Sequence, residues 1–471
     1  MKSYTTFTGL VSLLWFLGLT AQAQDVQWLE RAGGSSFDNG EAIVTDAQGN
    51  SYVTGDFQDT ADFDTLTRIA RSNNGNGNFF TAKYNSEGDV IWIDTATRNA
   101  FDYAITTDNF GNIYTVAEIG GGTTITLSNN QSILGSSFLV KYNSKGQIHW
   151  ADTIPFSPPK GITTDAKRNI FIGGMFKDTV TLGTDTFIST SNGNPLIIKY
   201  DSSGSYKWGI QGKILGSSPY ISNGIIRDLA IDKNGNLYGA GTFFDTLEFG
   251  NDTLFFEDNL EPFFIKLDSS SSIRWLKKAP GSFQEFPRGI SIGEKGGIYS
   301  VGTFDDTIEF GNKQLLGYSS YENAFITKLS KQGNFQWVKQ AGAINSGSIF
   351  LRDMSTSKSF MYFTGFLTGG PVSKPKFKFG NDTIVLNSNV AFVPFISKMD
   401  ESGNFLWTLT APQESGGDVK GISNDSAGNS FAIGDFNKTL SLQEDTVNSK
   451  GSRDIFTTKI SDIRIFQDTI P

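Results

Sequence analysis

The stretch Ala230-Ile231-Asp232-Lys233-Asn234-Gly235-Asn236-Leu237-Tyr238-Gly239-Ala240-Gly241-Thr242-Phe243 decides the fold. An apolar run ends at Asp232, a turn of the form Asp-x-x-Gly-Asn follows, and a second apolar run carries Tyr238 and Gly241. Asp accepts hydrogen bonds from a turn backbone, and Gly supplies the positive φ that a tight hairpin needs. Further on, Phe263-Phe264-Ile265-Lys266-Leu267 leads through a Ser-rich turn to Trp275, a second hairpin.

The same pair of hairpins recurs seven times. The Tyr position is taken by Tyr52, Tyr114, Phe171, Tyr238, Tyr299, Tyr362 and Phe431. Three residues on stand Gly55, Ala117, Gly174, Gly241, Gly302, Gly365 and Gly434. The second hairpin carries Lys83, Lys141, Lys199, Lys266, Lys328, Lys398 and Lys459, each with an apolar residue three positions before it. Apart from Trp15, every Trp falls in one register: Trp28, Trp92, Trp150, Trp208, Trp275, Trp337 and Trp407. A residue that buries so much apolar area is expected where neighbouring units pack.

Each unit therefore reads as four strands. A four-stranded antiparallel sheet of this length cannot bury both faces alone, and radial packing of seven such sheets solves that. The expected fold is all-β: a seven-bladed β-propeller of four-stranded antiparallel blades over residues 24–471. Repeats are expected near 41–95, 102–152, 160–210, 226–277, 288–339, 350–409 and 419–460. The fourth-strand pattern occurs once too often, at Val26–Leu29 and again near Phe466. The favoured parse closes the ring with an N-terminal strand at 26–30 in the last blade. The alternative closes it with the strand around Phe466.

Residues 1–23 read as a signal peptide: Lys2, an apolar run Gly9–Thr20, and the small-residue site Ala21-Gln22-Ala23, with cleavage after Ala23. The expected location is secreted or extracytoplasmic, without a membrane span. The chain has no Cys, which excludes disulfides, thiolate catalysis and Cys-ligated zinc. A net charge of −9 opposes nucleic-acid binding, which needs a basic footprint. The abundance of Gly (52) and Phe (40) suits strands and turns.

The recurring pattern G-I-x-x-D-x-x-G-N-x-Y-x-x-G-x-F, followed by F-x-x-K and a Trp, resembles the β-propeller repeat of the SBBP family over Trp28 to about Ile460. Ala117 and the segment Thr356–Tyr362, which lacks the Asp and Gly-Asn turn, depart from it. The resemblance implies a seven-bladed propeller with a secreted or surface-associated role, and it carries over no catalytic residue.

Several residues invite a functional reading. The single histidine, His149, adjoins Trp150 and reads as an edge residue of a blade. Asp46, Asp108, Asp165, Asp232 and Asp425 occupy the turn after the first strand, with Gly293 and Thr356 in the other units. They read as hairpin caps, with cation capture as the competing reading. Asp56, Asp59, Asp62 and Asp64 cluster in one loop and are the weak metal candidates, calcium being the cation in question. The links between second and third strands contain hairpins of their own, such as Thr246–Phe255 around Gly250-Asn251. Their aromatics, Phe249, Phe255, Phe256, Phe310, Tyr318, Tyr321, Phe377 and Phe379, are the candidate binding surface wherever they stay exposed. The strand lysines read as a solvated face with stems over aromatic rings.

The expected function is a non-catalytic, monomeric, secreted or cell-surface propeller that binds a protein or carbohydrate partner through its loops and channel mouth, without a cofactor. The alternatives are a lyase or hydrolase that uses carboxylates with or without calcium, and a structural or adhesive surface module.

Overall fold

The computed structural model describes residues 24–70, 77–98, 100–216, 224–317, 321–371, 374–387 and 389–462. The expected signal peptide and the strand around Phe466 lie outside them. Among the described residues every regular element is a β-strand.

Seven times, four strands pair side by side, each antiparallel to the next. The first strands are Asp38–Thr45, Phe101–Thr107, Pro159–Thr164, Gly224–Ile231, Phe286–Ile292, Ser348–Ser357 and Asp418–Asn424. Where the sequence placed the starts at Glu41, Gly161 and Gly289, the strands begin two or three residues earlier. In the last unit, Asp418–Asn424, Ser430–Phe436 and Asp454–Asp462 are completed by Gln24–Gly34, with Trp28 opposite Lys459. The first strands neighbour one another in chain order, and Asp418–Asn424 lies against Asp38–Thr45.

The second strands Ser51–Phe57, Ile298–Phe304 and Ser430–Phe436 are buried at every position. A strand inside such a unit has a neighbouring sheet on both faces, so it loses the polar alternation of a half-exposed strand. The apolar cores accordingly sit between units. One joins Tyr52 and Phe79 to Ile105 and Phe138 of the next sheet, and another joins Tyr238 and Phe264 to Ile298 and Phe304.

The tryptophans connect the units. Trp28 Nε1 donates to the Ser86 carbonyl of the first unit at 3.1 Å, and Trp92 to Ser144 at 3.2 Å. Trp275 donates to Lys331 at 3.0 Å, and Trp337 to Glu401 at 3.2 Å. Each acceptor lies in the turn between third and fourth strands of the following unit. The glycine of that turn receives the ring: a Cβ on Gly146 would stand 2.6 Å from Trp92, and one on Gly333 2.8 Å from Trp275. Gly333 has φ +80°, so both its conformation and its lack of a side chain serve the contact.

The strand lysines are less solvated than the sequence suggested. Their ammonium groups do lie over the Tyr or Phe of the second strand, as Lys266 does over Tyr238 at 5.1 Å. They also donate to the turn carbonyl that the Trp uses, as Lys459 does to Ser86 at 2.9 Å. Lys398 is fully buried and paired with Asp462.

Trp275→Ala should lower stability by about 3–5 kcal/mol, the usual cost of removing a buried Trp. Gly333→Ala should cost about 1–2 kcal/mol from the left-handed backbone alone. Denaturant midpoints at constant m-value measure both. Unchanged midpoints would remove the Trp–turn contact from its role.

Candidate functional site

In every unit the pairing between first and second strands slips. The shifts fall at Gly40/Ala42, Phe101/Ala104, Pro159/Gly161, Ile226/Asp228, Pro287/Gly289, Leu351/Asp353 and Val419/Gly421. A bulge of this kind bends the strand and turns the extra side chain in a new direction. In chain order these side chains are Glu41, Tyr103, Lys160, Arg227, Arg288, Arg352 and Lys420. All seven line one cavity of about 230 Å³, together with Asp228 and Asp353. Five consecutive units thus contribute a cation, and the remaining two contribute Glu41 and Tyr103.

Crowding between the first strands explains the glycine or aspartate that follows five of the bulges. A Cβ on Gly161 would stand 2.8 Å from the Leu229 amide nitrogen of the next strand, and one on Gly289 3.2 Å from that of Met354. In two units an Asp bridges to that same amide instead of a glycine leaving room for it. Asp228 accepts from Ile290 N at 2.8 Å, and Asp353 accepts from Ile422 N at 2.9 Å.

The cations are held in place. Arg352 Nε is 2.6 Å from Asp418, and Lys420 is 2.6 Å from Glu41 and 2.8 Å from Asp435. The guanidinium groups of Arg227 and Arg288 lie 4.8 and 5.2 Å from the Phe286 ring, and that of Arg352 lies 5.1 Å from Phe366. Such stacking suits the flat guanidinium. The Nε of Arg288 is buried without a hydrogen-bond partner.

Burial moves two acids of the cavity, Asp228 and Asp353, toward neutrality. Asp228 is raised to about 8 by desolvation and then by the Asp353 charge, against the two amides that it accepts from. Asp353 is raised to about 6 by desolvation, again opposed by backbone hydrogen bonds. Behind the ring, desolvation lifts Glu322 to about 7 and Asp418 to about 6, the latter offset by Arg352. Desolvation and the neighbouring Arg352 charge bring Arg288 down to about 10, which leaves it protonated at neutral pH. Near pH 7 the five cations therefore outnumber the ionised carboxylates of the lining, in a chain whose net charge is −9.

The residues singled out by sequence lie elsewhere. Asp46 accepts from Gln48 N, Asn50 N and Nδ2, and the Tyr52 hydroxyl, at 2.8–3.0 Å. Asp108 and Asp232 repeat the pattern, so these carboxylates cap their own hairpins at the other end of the first strands. The Asp56, Asp59, Asp62 and Asp64 cluster does not converge. Asp56 is buried against Asn39, Asp59 accepts from Ser36, and Asp62 pairs with Lys450. Asp59 and Asp64 have φ of 54° and 50°; Asp64 occupies the hairpin-turn position that Gly250, Gly311 and Gly380 fill in other arms. Among the described residues no group of three or more His, Cys, Asp or Glu side chains is placed to hold a metal ion. His149 is exposed on its fourth strand.

The proposed aromatic surface is also largely corrected. Phe249, Phe310, Phe377 and Phe379 are fully buried, because the alternation in Thr-Leu-Glu-Phe turns one face of each arm onto its own unit. Phe249 packs on Phe263, Phe310 on Phe325 and Phe379 on Phe395, with centroids 5.1–5.8 Å apart. Phe255 is exposed (66%) and Tyr321 is half-buried. Tyr318 and the side chain of Phe256 lie outside what the structure describes. The bulge cations escaped the sequence reading because it began strands such as Pro159–Thr164 and Phe286–Ile292 at the glycine that follows the bulge. Lys160-Gly161-Ile162-Thr163, Arg288-Gly289-Ile290-Ser291 and Lys420-Gly421-Ile422-Ser423 carry the missed signal.

No family profile matches the chain, and no curated protein matches it. Solved structures similar to it include the polysaccharide lyase Uly1, at 11% identity over 90% of each chain with a TM-score of 0.43. The Dos1 propeller is similar at 7% identity over 92% of this chain and 95% of that one, TM-score 0.42. A gluconolactonase from Xanthomonas campestris is similar at 10% identity over 74% and 90%, TM-score 0.33. The expectation that the chain is not an enzyme is therefore withdrawn, since a lyase and a gluconolactonase stand among these structures. At such identities and TM-scores they assign no activity to it.

Stability should fall as pH rises from about 4 to 8. Across that window the folded protein keeps the Asp228 proton that the unfolded chain, near 3.8, has released. Asp38 and Asp56, each raised to about 7, act in the same direction. Asp228→Asn should reduce the difference between denaturant midpoints at pH 5 and pH 8; an unreduced difference would assign the proton to other groups.

Proposed function

We propose that the chain is an extracytoplasmic seven-bladed propeller of the SBBP repeat type, cleaved after Ala23, that binds an anionic ligand or partner at the bulge end of its first strands. The observation that carries this reading is the basic residue at the bulge of five consecutive units: Lys160, Arg227, Arg288, Arg352 and Lys420. A concave site whose lining holds more cations than carboxylates favours anions locally even on a protein of opposite net charge. The arms contribute less than the sequence suggested, because most of their aromatics are buried.

Citrate should raise the melting temperature of the purified chain, with an effect that shrinks as ionic strength rises. The pair Lys160→Gln and Arg288→Gln should weaken citrate binding at least tenfold, since a hydrogen bond to a charged group is worth about 1.5–3 kcal/mol. Equal citrate binding by wild type and variant would overturn the reading.

A second reading, acid–base catalysis on the bound ligand, is favoured by the Asp228 carboxyl, which at about 8 carries a proton at neutral pH within the same cavity. Bond cleavage in acidic polysaccharides or lactones, lost in Asp228→Asn while ligand binding persists, would support it. Cleavage that survives the substitution would refute it.

A further inference from the structure

Among the described residues, five seams between neighbouring units are latched in one way, and the seam between the third and fourth units is not. Trp28, Trp92, Trp150, Trp275 and Trp337 each donate the indole N–H to a carbonyl in the next unit's turn. A third-strand lysine joins the indole on the same oxygen at Ser86, Ser202, Lys331 and Glu401. At the seam into the last unit, Lys398 pairs with Asp462 instead. Trp208 and Lys199 lie opposite each other in the third unit and make no such bond among the described residues; Lys199 stands 4.0 Å from Asp165.

One residue accounts for the difference. The turn positions that receive the ring are Gly88, Gly146, Gly204, Gly333 and Gly403, all with positive φ. Their counterpart in the fourth unit is Ser271, with φ 68°. A Cβ on Gly146 would stand 2.6 Å from Trp92, and one on Gly333 2.8 Å from Trp275, so the Ser271 side chain keeps an indole from the same approach. The carbonyl two residues earlier, at Ser269, is the acceptor that Trp208 and Lys199 forgo. A cavity of about 410 Å³ opens here, lined by Phe171, Lys199 and Ser269.

We infer that this cavity binds a compact carboxylate with an apolar body, its oxygens replacing the missing carbonyl before Lys199 and Trp208. The site lies at the turn end of the first strands, away from the bulge cavity, and stands independently of the reading made there.

Charge supports an anion. Lys167 and Lys233 join Lys199 in the lining, against Asp165 and Asp232. Both carboxylates are engaged by their own turns. Asp165 accepts from Lys167 N, Asn169 N and Asn169 Nδ2 at 2.6–2.9 Å. Asp232 accepts from Asn234 N, Asn236 N and Nδ2, and the Tyr238 hydroxyl at 2.8–3.2 Å. Desolvation holds the Lys199 ammonium below its usual value, a cost that an adjoining anion offsets.

Size and surface support the apolar body. The volume falls within the ~300–1,000 Å³ that holds small organic ligands. The third unit carries Phe171 where the fourth carries Tyr238, so this wall presents a ring without a hydroxyl. Trp208 packs edge-on against that ring, with centroids 6.0 Å apart.

Calorimetric titration of the whole chain with benzoate, acetate and benzyl alcohol tests the inference. Benzoate should bind at least tenfold more tightly than acetate, which lacks the ring, and than benzyl alcohol, which lacks the charge. Lys199→Gln should weaken benzoate at least tenfold, and Arg288→Gln in the bulge cavity should leave it unchanged. Ser271→Gly, which suits the left-handed turn, should let the indole close on Ser269 and abolish benzoate binding. Absence of benzoate binding would overturn the inference, as would acetate or benzyl alcohol binding equally well. Binding that Arg288→Gln removes and Lys199→Gln spares would overturn it and belong to the bulge cavity. Binding that survives Ser271→Gly would also overturn it, by detaching the cavity from the missing latch.

Discussion

For Trp28, Trp92, Trp150, Trp275 and Trp337, the contact between the fourth-strand Trp and the following unit's turn holds the molecule in register. The indole lies against a turn glycine, its N–H meets a turn carbonyl, and the third-strand Lys donates to the same carbonyl in several units. A four-stranded sheet has two apolar faces and no means of burying both. Seven sheets satisfy one another only if each is placed at a fixed offset from the next, and an indole against a left-handed glycine turn defines that offset sterically as well as energetically. Trp28 extends the rule across the two ends of the chain. Carried on Gln24–Gly34, it completes the last sheet beside Asp454–Asp462 and reaches Ser86 in the first.

Fixing the outer strands in this way brings the first strands together at the centre, where backbone approaches backbone. Gly161, Gly289 and Gly421 provide clearance, while Asp228 and Asp353 use the same approach to accept an amide of the neighbouring strand. The bulge before each of these positions turns one side chain per unit toward a common cavity. Gathering five cations there is costly unless they are compensated. Asp418, Asp435 and Glu41 compensate Arg352 and Lys420, aromatic rings underlie the guanidinium groups, and desolvated acids such as Asp228 keep their protons. The chemistry of the site and the electrostatic strain of the fold are thus one set of facts.

The arms follow from the same geometry. Each small hairpin turns its apolar face onto the third strand of its own unit, a Phe in six units and Leu196 in the third, and some extend the preceding unit's fourth strand, as Gly33 pairs with Asp62 and Gly212 with Phe249. The residues that looked most like a variable binding surface therefore brace the outside of the sheets. The acidic turns cap hairpins at the far end of the first strands, which leaves the bulge end as the place where side chains differ in charge from one unit to the next.

Sequence alone determined the seven units and the four strands in each; it favoured the hairpin role of the Asp-x-x-Gly-Asn turns and the Trp28 strand over the Phe466 strand, and the pairing of Trp28 with Lys459 placed that strand in the last sheet. Those sequence readings rest on local patterns: apolar alternation, turn glycines, and a rare bulky residue in one register. The candidate site was hidden because its members are single residues, spaced about sixty apart and of three chemical kinds, Glu41, Tyr103 and the five cations. Only bulges in seven separate pairings direct them into one cavity, and bulge positions depend on how closely neighbouring first strands approach. Likewise, nothing local separates Phe249, which is buried, from Phe255, which is exposed; the face that each arm turns inward is decided by the sheet beneath it.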